Sequence, residues 1–169
     1  MKSREWEEKV NSKQTTQGGN TMTNTKQSKK ELARLMNDEV WSKGKFDLID
    51  EYVSEDFVVH TSANPEPVRG RDGFKSNVER VRTALPDLEL VTRHLFSDGN
   101  MVANHWTMKG THQGPFMGID ATGNDVEFPG MSIIQIEHGK VVEAWTVFDL
   151  LGIMKQLGVT LEPEEATTE

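Results

Sequence analysis

Pro86 divides this chain by hydrophobic period, and that division limits the folds open to it. Downstream, apolar and polar residues alternate as in half-buried strands. LELVTRHLF (Leu88 to Phe96) and MVANHWTMKGTH (Met101 to His112) flank the turn SDGN, and VEFPGMSIIQIE (Val126 to Glu137) and KVVEAWTVFD (Lys140 to Asp149) close a hairpin over His138-Gly139. Upstream, SKKE (Ser28 to Glu31) reads as a capping box, and Leu32, Leu35, Met36, Val40 and Trp41 follow at helical spacing until Gly44. Phe46, Ile49, Tyr52 and Val53 predict a short second helix, DFVVHTS (Asp56 to Ser62) a first strand, and Phe74, Val78, Val81 and Leu85 a third helix beyond a Pro-rich loop. LLGIMKQLG ends the pattern as a short helix. Three helices followed by an antiparallel meander predict an α+β fold, with the helices on the concave face of a strongly bent antiparallel sheet and a pocket between.

The 169 residues are about one domain's worth. Residues 1–27 hold scarcely any apolar side chain and are expected to be a disordered tail; 28–160 form the domain, and 161–169 a flexible C-terminal tail. A net charge of -8 argues against a nonspecific grip on nucleic acid, and no apolar run approaches the ~18 residues of a membrane span. MKSREWEEKV is not a secretory signal, so a cytoplasmic address is expected. With zero cysteines, chemistry falls to carboxylates, histidines and hydroxyls. No tight ligand spacing such as H-x-x-x-H occurs, so no metal is expected.

Asp149 stands where an apolar strand gives way to an apolar helix. A charge there is costly unless paired, hydrogen-bonded or neutralised, so Asp149 is either a helix cap or a working acid. The two roles can coexist.

The strings EVWSKGKFDLIDEYVSEDFVVH, ALPDLEL, GTHQGPFMGIDATGNDVEFPG and GKVVEAWTVFDLLGIMKQLG, in that order, resemble the SnoaL-like polyketide cyclase family within the nuclear transport factor 2-like superfamily. The resemblance implies an α+β cone with a deep apolar cavity, often dimeric through the outer sheet face. It also implies ring closure by intramolecular aldol condensation without metal or other cofactor. The family's key aspartate, at the end of the last strand, matches Asp149, and a polar residue on the preceding strand matches Gln135. Many relatives carry a proline before the Thr-Gly of the long loop, where this chain reads Ile119-Asp120-Ala121-Thr122-Gly123, a departure that bears on loop shape and substrate choice.

If the loop at Glu137-His138-Gly139 is a three-residue hairpin, Gln135 lies opposite Val141 and shares a face with Asp149; a two-residue turn would separate them. One carboxylate can act as base and then acid in an aldol closure, and Gln135 could stabilise the enolate oxygen. His60 and His105 join these two as candidate catalytic groups, because neutral imidazole shuttles protons. Each also has a structural reading, and His105 has the opposite parity to Asn104 and Trp106. Trp41, Phe57, Trp106, His112, Phe116, Met117, Phe128 and Trp145 are candidate ligand-binding residues, with Phe116-Met117-Gly118 as a lid; plain core packing is the competing reading.

The expected function is cofactor-free acid-base chemistry on a small apolar, possibly polycyclic, carbonyl compound. The alternatives are a ligand-binding or assembly module on the same fold, and a hydrolase or dehydratase pairing Asp149 with Glu127. A homodimer is the expected assembly, with neither nucleic acid nor membrane as partner.

Overall fold

The computed structural model describes residues 28–160; the tails expected at 1–27 and 161–169 lie outside the described residues. Helix α1 (Lys29–Leu35) begins at Ser28, whose hydroxyl accepts from the Glu31 N–H at 3.2 Å while the Ser28 N–H donates to Glu31 Oε2 at 2.7 Å. This is the expected capping box. Its hydrogen bonds, that from the Ser28 backbone first, hold the Glu31 carboxyl below the usual range. The helix does not run evenly to Gly44: Met36–Trp41 is a π-helical turn, with the Ser42 N–H reaching back to the Asn37 carbonyl at 3.1 Å. The wider turn buries Met36, Asn37 and Val40 together. Helix α2 (Asp47–Tyr52) leads directly into strand β1 (Val53–Thr61).

The Pro-rich segment expected to be a loop is strand β2 (Asn64–Arg69), antiparallel to β1. It lies at the sheet edge, where Pro65 and Pro67 need no second ladder partner. Helix α3 (Gly70–Ala84) buries Phe74, Val78, Val81 and Ala84, and carries the chain to the far edge of the sheet. Strands β3 (Glu89–Asp98), β4 (Met101–Thr111), β5 (Asp125–Glu137) and β6 (Lys140–Phe148) then return strand by strand, and α4 (Leu150–Gln156) closes the fold.

The sheet has six strands in the order β2-β1-β6-β5-β4-β3, and it is mixed rather than wholly antiparallel. Strand β1 pairs with β6 in parallel, because the meander that starts at the far edge comes back to β1 running in β1's direction. Among the described residues there are four helices, three before the meander and the short one expected after its last strand. The core joins α1, α2 and α3 to the strands in one cluster, and α3, α4 and the strands in a second; Trp41 packs against both. Among the described residues no helix is long and apolar enough to cross a membrane.

The β5–β6 register departs from the three-residue hairpin. His138 (φ 49°) and Gly139 (φ 79°) form a two-residue turn between paired Glu137 and Lys140, both in the left-handed region that this turn requires. A bulge follows at once, since Ile136 pairs with Val141 but Gln135 pairs with Glu143. The extra residue restores the parity that the short turn reversed, so Gln135 and Asp149 do lie at positions of one face. That face is the outer one.

Candidate functional site

Between the helices and the sheet lies a cavity of about 520 Å³. Its wall is mainly apolar and aromatic. Trp41, Phe57, Trp106, Phe116, Met117 and Phe128, all candidates from the sequence, line it, together with Met36, Phe74, Leu90 and Phe148. Trp106 is set by the absence of a side chain at its cross-strand partner Gly130, where an added Cβ would collide with the indole ring. Phe116 and Met117 arrive from the long loop through a small hairpin tip: Phe116 and Ile119 exchange backbone hydrogen bonds at 3.0 and 2.9 Å, with Met117 and Gly118 both at positive φ.

Strand parity decides what else reaches the cavity. Ala144, Thr146 and Phe148 of β6 line it, so Glu143, Trp145 and Val147 face away. Asp149 lies outside the lining as well: its carboxylate is exposed, and Oδ1 accepts from the Gly152 N–H at 2.8 Å as the N-cap of α4. Pro129, not Glu127, stands across from it, for the Asp149 N–H reaches the Pro129 carbonyl at 3.3 Å. No ion pair or hydrogen bond joins Asp149 to Glu127 among the described residues. Gln135 donates to Glu137 Oε1 at 2.7 Å, and its partner Glu143 lies six residues before Asp149 on β6, about 20 Å along the strand at ~3.3 Å per residue. Gln135 and Asp149 therefore do not converge on one substrate atom.

The histidines also stay out of the cavity wall. His60 bonds Glu143 Oε1 through Nε2 at 2.8 Å and stacks on Trp145, ring centroids 5.6 Å apart. Trp145 thus belongs to an outer-face cluster and not to the ligand wall expected for it. His105 stacks on His94, the two Nδ1 atoms 3.0 Å apart, on the outward parity expected from Asn104 and Trp106. His112 is fully buried at the root of the long loop, where Nδ1 accepts from the Thr122 N–H at 3.2 Å and lies 3.0 Å from Thr122 Oγ1. It pins the loop without lining the cavity. Among the described residues, no three His, Asp or Glu side chains gather as a metal-binding group.

A different polar set faces the cavity. Asn104 pairs with Ser132, Ser132 with Thr146, and Thr146 with Thr61, so four polar side chains form one row across β4, β5, β6 and β1, each lining the cavity. The Trp106 indole N–H donates to Ser132 Oγ at 3.0 Å, and Ser132 Oγ lies 3.0 Å from Thr146 Oγ1. From the helical side, Asn37 donates to Thr92 Oγ1 at 2.9 Å. Arg80 is the one ionisable residue among those lining the cavity. The sequence carried a signal for this row: Asn104 shares Trp106's parity, and Ser132 and Thr146 sit at inward positions where an all-apolar wall would carry Val or Leu.

The sequence profile of the SnoaL-like polyketide cyclases matches residues 31–157. The chain belongs to that family. Among solved structures, this SnoaL-like protein is similar to the candidate SnoaL-like polyketide cyclase of Jannaschia sp. CCS1, at 22% identity and a TM-score of 0.73 over 86% of this chain and 100% of that one. That identity speaks for the fold alone. It is also similar to the candidate polyketide cyclase IdmH of Streptomyces antibioticus (26% identity, TM-score 0.67, 76% of this chain and 97% of that one). AclR of Streptomyces galilaeus, a candidate hydroxylase, is a further likeness at 28% identity and a TM-score of 0.67, covering 79% of this chain and 83% of that one. Among curated proteins, none matches the sequence. Membership supports a cyclase-type function in general terms. In this SnoaL-like protein the amide of Asn104 and the hydroxyls of Ser132, Thr146 and Thr61 take inward positions in the cavity wall.

Proposed function

We propose that this SnoaL-like protein binds a small, apolar carbonyl compound in the 520 Å³ cavity and directs its intramolecular ring closure or isomerisation without a cofactor. The observation that carries this reading is the hydrogen-bonded row Trp106–Ser132–Thr146 set into an otherwise apolar wall. Three donors, one indole N–H and two hydroxyls, share two hydrogen bonds, so one hydroxyl proton remains for a ligand oxygen. The ligand enters as its enol, so no base on the protein is required. The enol carbon attacks the second carbonyl carbon, the C=O π-bond opens, and the enol O–H proton passes by way of the row's spare hydroxyl to the new alkoxide oxygen, while the apolar walls hold the chain in the folded-back conformation that closes a ring. Asp149 acts as the cap of α4 in this reading, and the cavity works by orientation and by neutral hydrogen bonds.

The test is turnover of short linear 1,3-diketones, followed by chromatography of the cyclised products, in the wild type and in Ser132→Ala. A single dominant product with wild type, and a mixture or a rate at least ~10-fold lower with Ser132→Ala, is expected. Binding of the diketones with no acceleration would favour the second reading, a ligand-binding module. Arg80 as the one ionisable lining residue is the observation on that reading's side.

We also propose that the outer face of β5 and β6 pairs with a second copy of the chain. Ile133 lies opposite Trp145 and Met131 opposite Val147, and these four exposed apolar side chains form one block, Val147 being 61% exposed. Such a block on adjacent strands is suited to burial against an identical surface.

A further inference from the structure

Asn104 is 1% exposed, borders the cavity, and its Oδ1 has no hydrogen-bond partner. Its neighbours in the row are placed otherwise: Ser132 receives the Trp106 N–H and bonds Thr146, while Asn37 across the cavity gives its amide to Thr92. A buried carbonyl without a donor is a standing cost to the fold, which a leucine of similar shape would not incur. An amide held at such a cost beside a cavity is complementary to a ligand that brings the missing donor.

We infer that Asn104 is a specificity-determining residue of the cavity and that its carbonyl accepts a hydrogen bond from a neutral hydroxyl or enol O–H of the ligand. The inference rests on the cavity being a ligand site and deepens that reading. Asn104 and Ser132 stand on adjacent strands in register, ~4.8 Å apart. The row therefore offers an acceptor at Asn104 and, one or two strands away, the spare hydroxyl proton of Ser132 or Thr146. A ligand that matches carries an O–H and a carbonyl oxygen along one edge of an apolar skeleton. A ligand carboxylate is disfavoured, since it would be desolvated among Trp106, Met108 and Phe128. The amide can turn about its broad terminal torsion to meet the hydroxyl without disturbing the strand.

The experiment uses the full chain and two commercial probes of nearly equal size, 2-naphthol and 2-methylnaphthalene, with binding read from the fluorescence of the cavity tryptophans Trp41 and Trp106. Wild type is expected to bind 2-naphthol about 5–10-fold more tightly than 2-methylnaphthalene. In Asn104→Leu the preference should fall to within ~2-fold while 2-methylnaphthalene affinity is kept, and the melting temperature should rise by about 3 °C as the orphaned carbonyl disappears. Should the leucine crowd the core, Asn104→Ala serves as the second variant and should lose the same preference. Tight binding of both probes with no preference in wild type, or a preference that survives in both variants, would overturn the Asn104 assignment and leave the cavity reading standing. Failure of both probes to bind wild type would overturn both.

Discussion

Trp106 and Gly130 face each other across β4 and β5, and the indole of Trp106 fills the space that a side chain on Gly130 would need. The same indole donates to Ser132, so the missing side chain at one position sets the polar row two residues further along β5. Gly130→Ala should push the ring aside, cost about 1–3 kcal/mol in urea unfolding and break the indole–Ser132 hydrogen bond. A blue-shifted or quenched tryptophan emission, together with weakened 2-naphthol binding, is the expected signature. A variant as stable as wild type, with unchanged emission, would show that the strand can yield without moving Trp106.

Asp149 should behave as a cap. Asp149→Ala is expected to lose about 1 kcal/mol of stability through the freed Gly152 N–H, and Asp149→Asn only a few tenths, since asparagine caps equally well. Affinity for cavity ligands should stay within ~2-fold in both. A large loss of affinity or turnover in Asp149→Asn would return the carboxylate to the chemistry.

Acid should destabilise the protein through carboxylates far from the cavity. Asp87 is held below the usual range chiefly by the Thr111 backbone N–H at 2.7 Å, Asp50 by Lys75, and Glu31 by Ser28. For each the folded value lies below the unfolded one. Their contribution is therefore complete above the ordinary carboxylate range of about 4 and is lost as pH falls through the lower folded values. Thermal melts should be flat from about pH 5.5 to 7 and fall steeply below pH 4. Asp87→Asn should lower the plateau and flatten the acid limb.

Dimerisation is checked by light scattering. Wild type should scatter at twice the chain mass, and Ile133→Asp with Val147→Asp should give monomers that still bind 2-naphthol, because both positions lie on the face away from the cavity. A monomeric wild type would remove the proposal.

Met117 adopts φ 53°, a conformation that costs a methionine more than a glycine, and its side chain lines the cavity. Met117→Gly should leave stability unchanged or slightly higher while speeding dissociation of 2-naphthol severalfold in stopped flow. Equal off-rates would show that the loop tip does not retain the ligand.

Local physics made much of this protein legible in its sequence. The Ser28–Glu31 cap, the Gly44 stop, the α3 face through Phe74 and Val78, and the alternating strands after Pro86 each follow from interactions within a few residues. Six cavity aromatics and thioethers could be named because long apolar side chains on a half-buried sheet must face inward somewhere. The polar row could not be assembled that way. Which residues meet across strands depended on a bulge after His138-Gly139, one extra residue that no local pattern announces, and on the parallel pairing of β1 with β6, which brings Thr61 to Thr146. The sequence by itself determined these elements and their order, but not the edge strand β2, whose two prolines read as a loop. Only the tertiary structure decided which face of each strand closes on the cavity, because side chains alternate every residue and a single shift in register exchanges inside for outside. By that exchange Asp149, Gln135, His60 and Trp145 came to lie outside the cavity, and Asn104, Ser132 and Thr146 inside it.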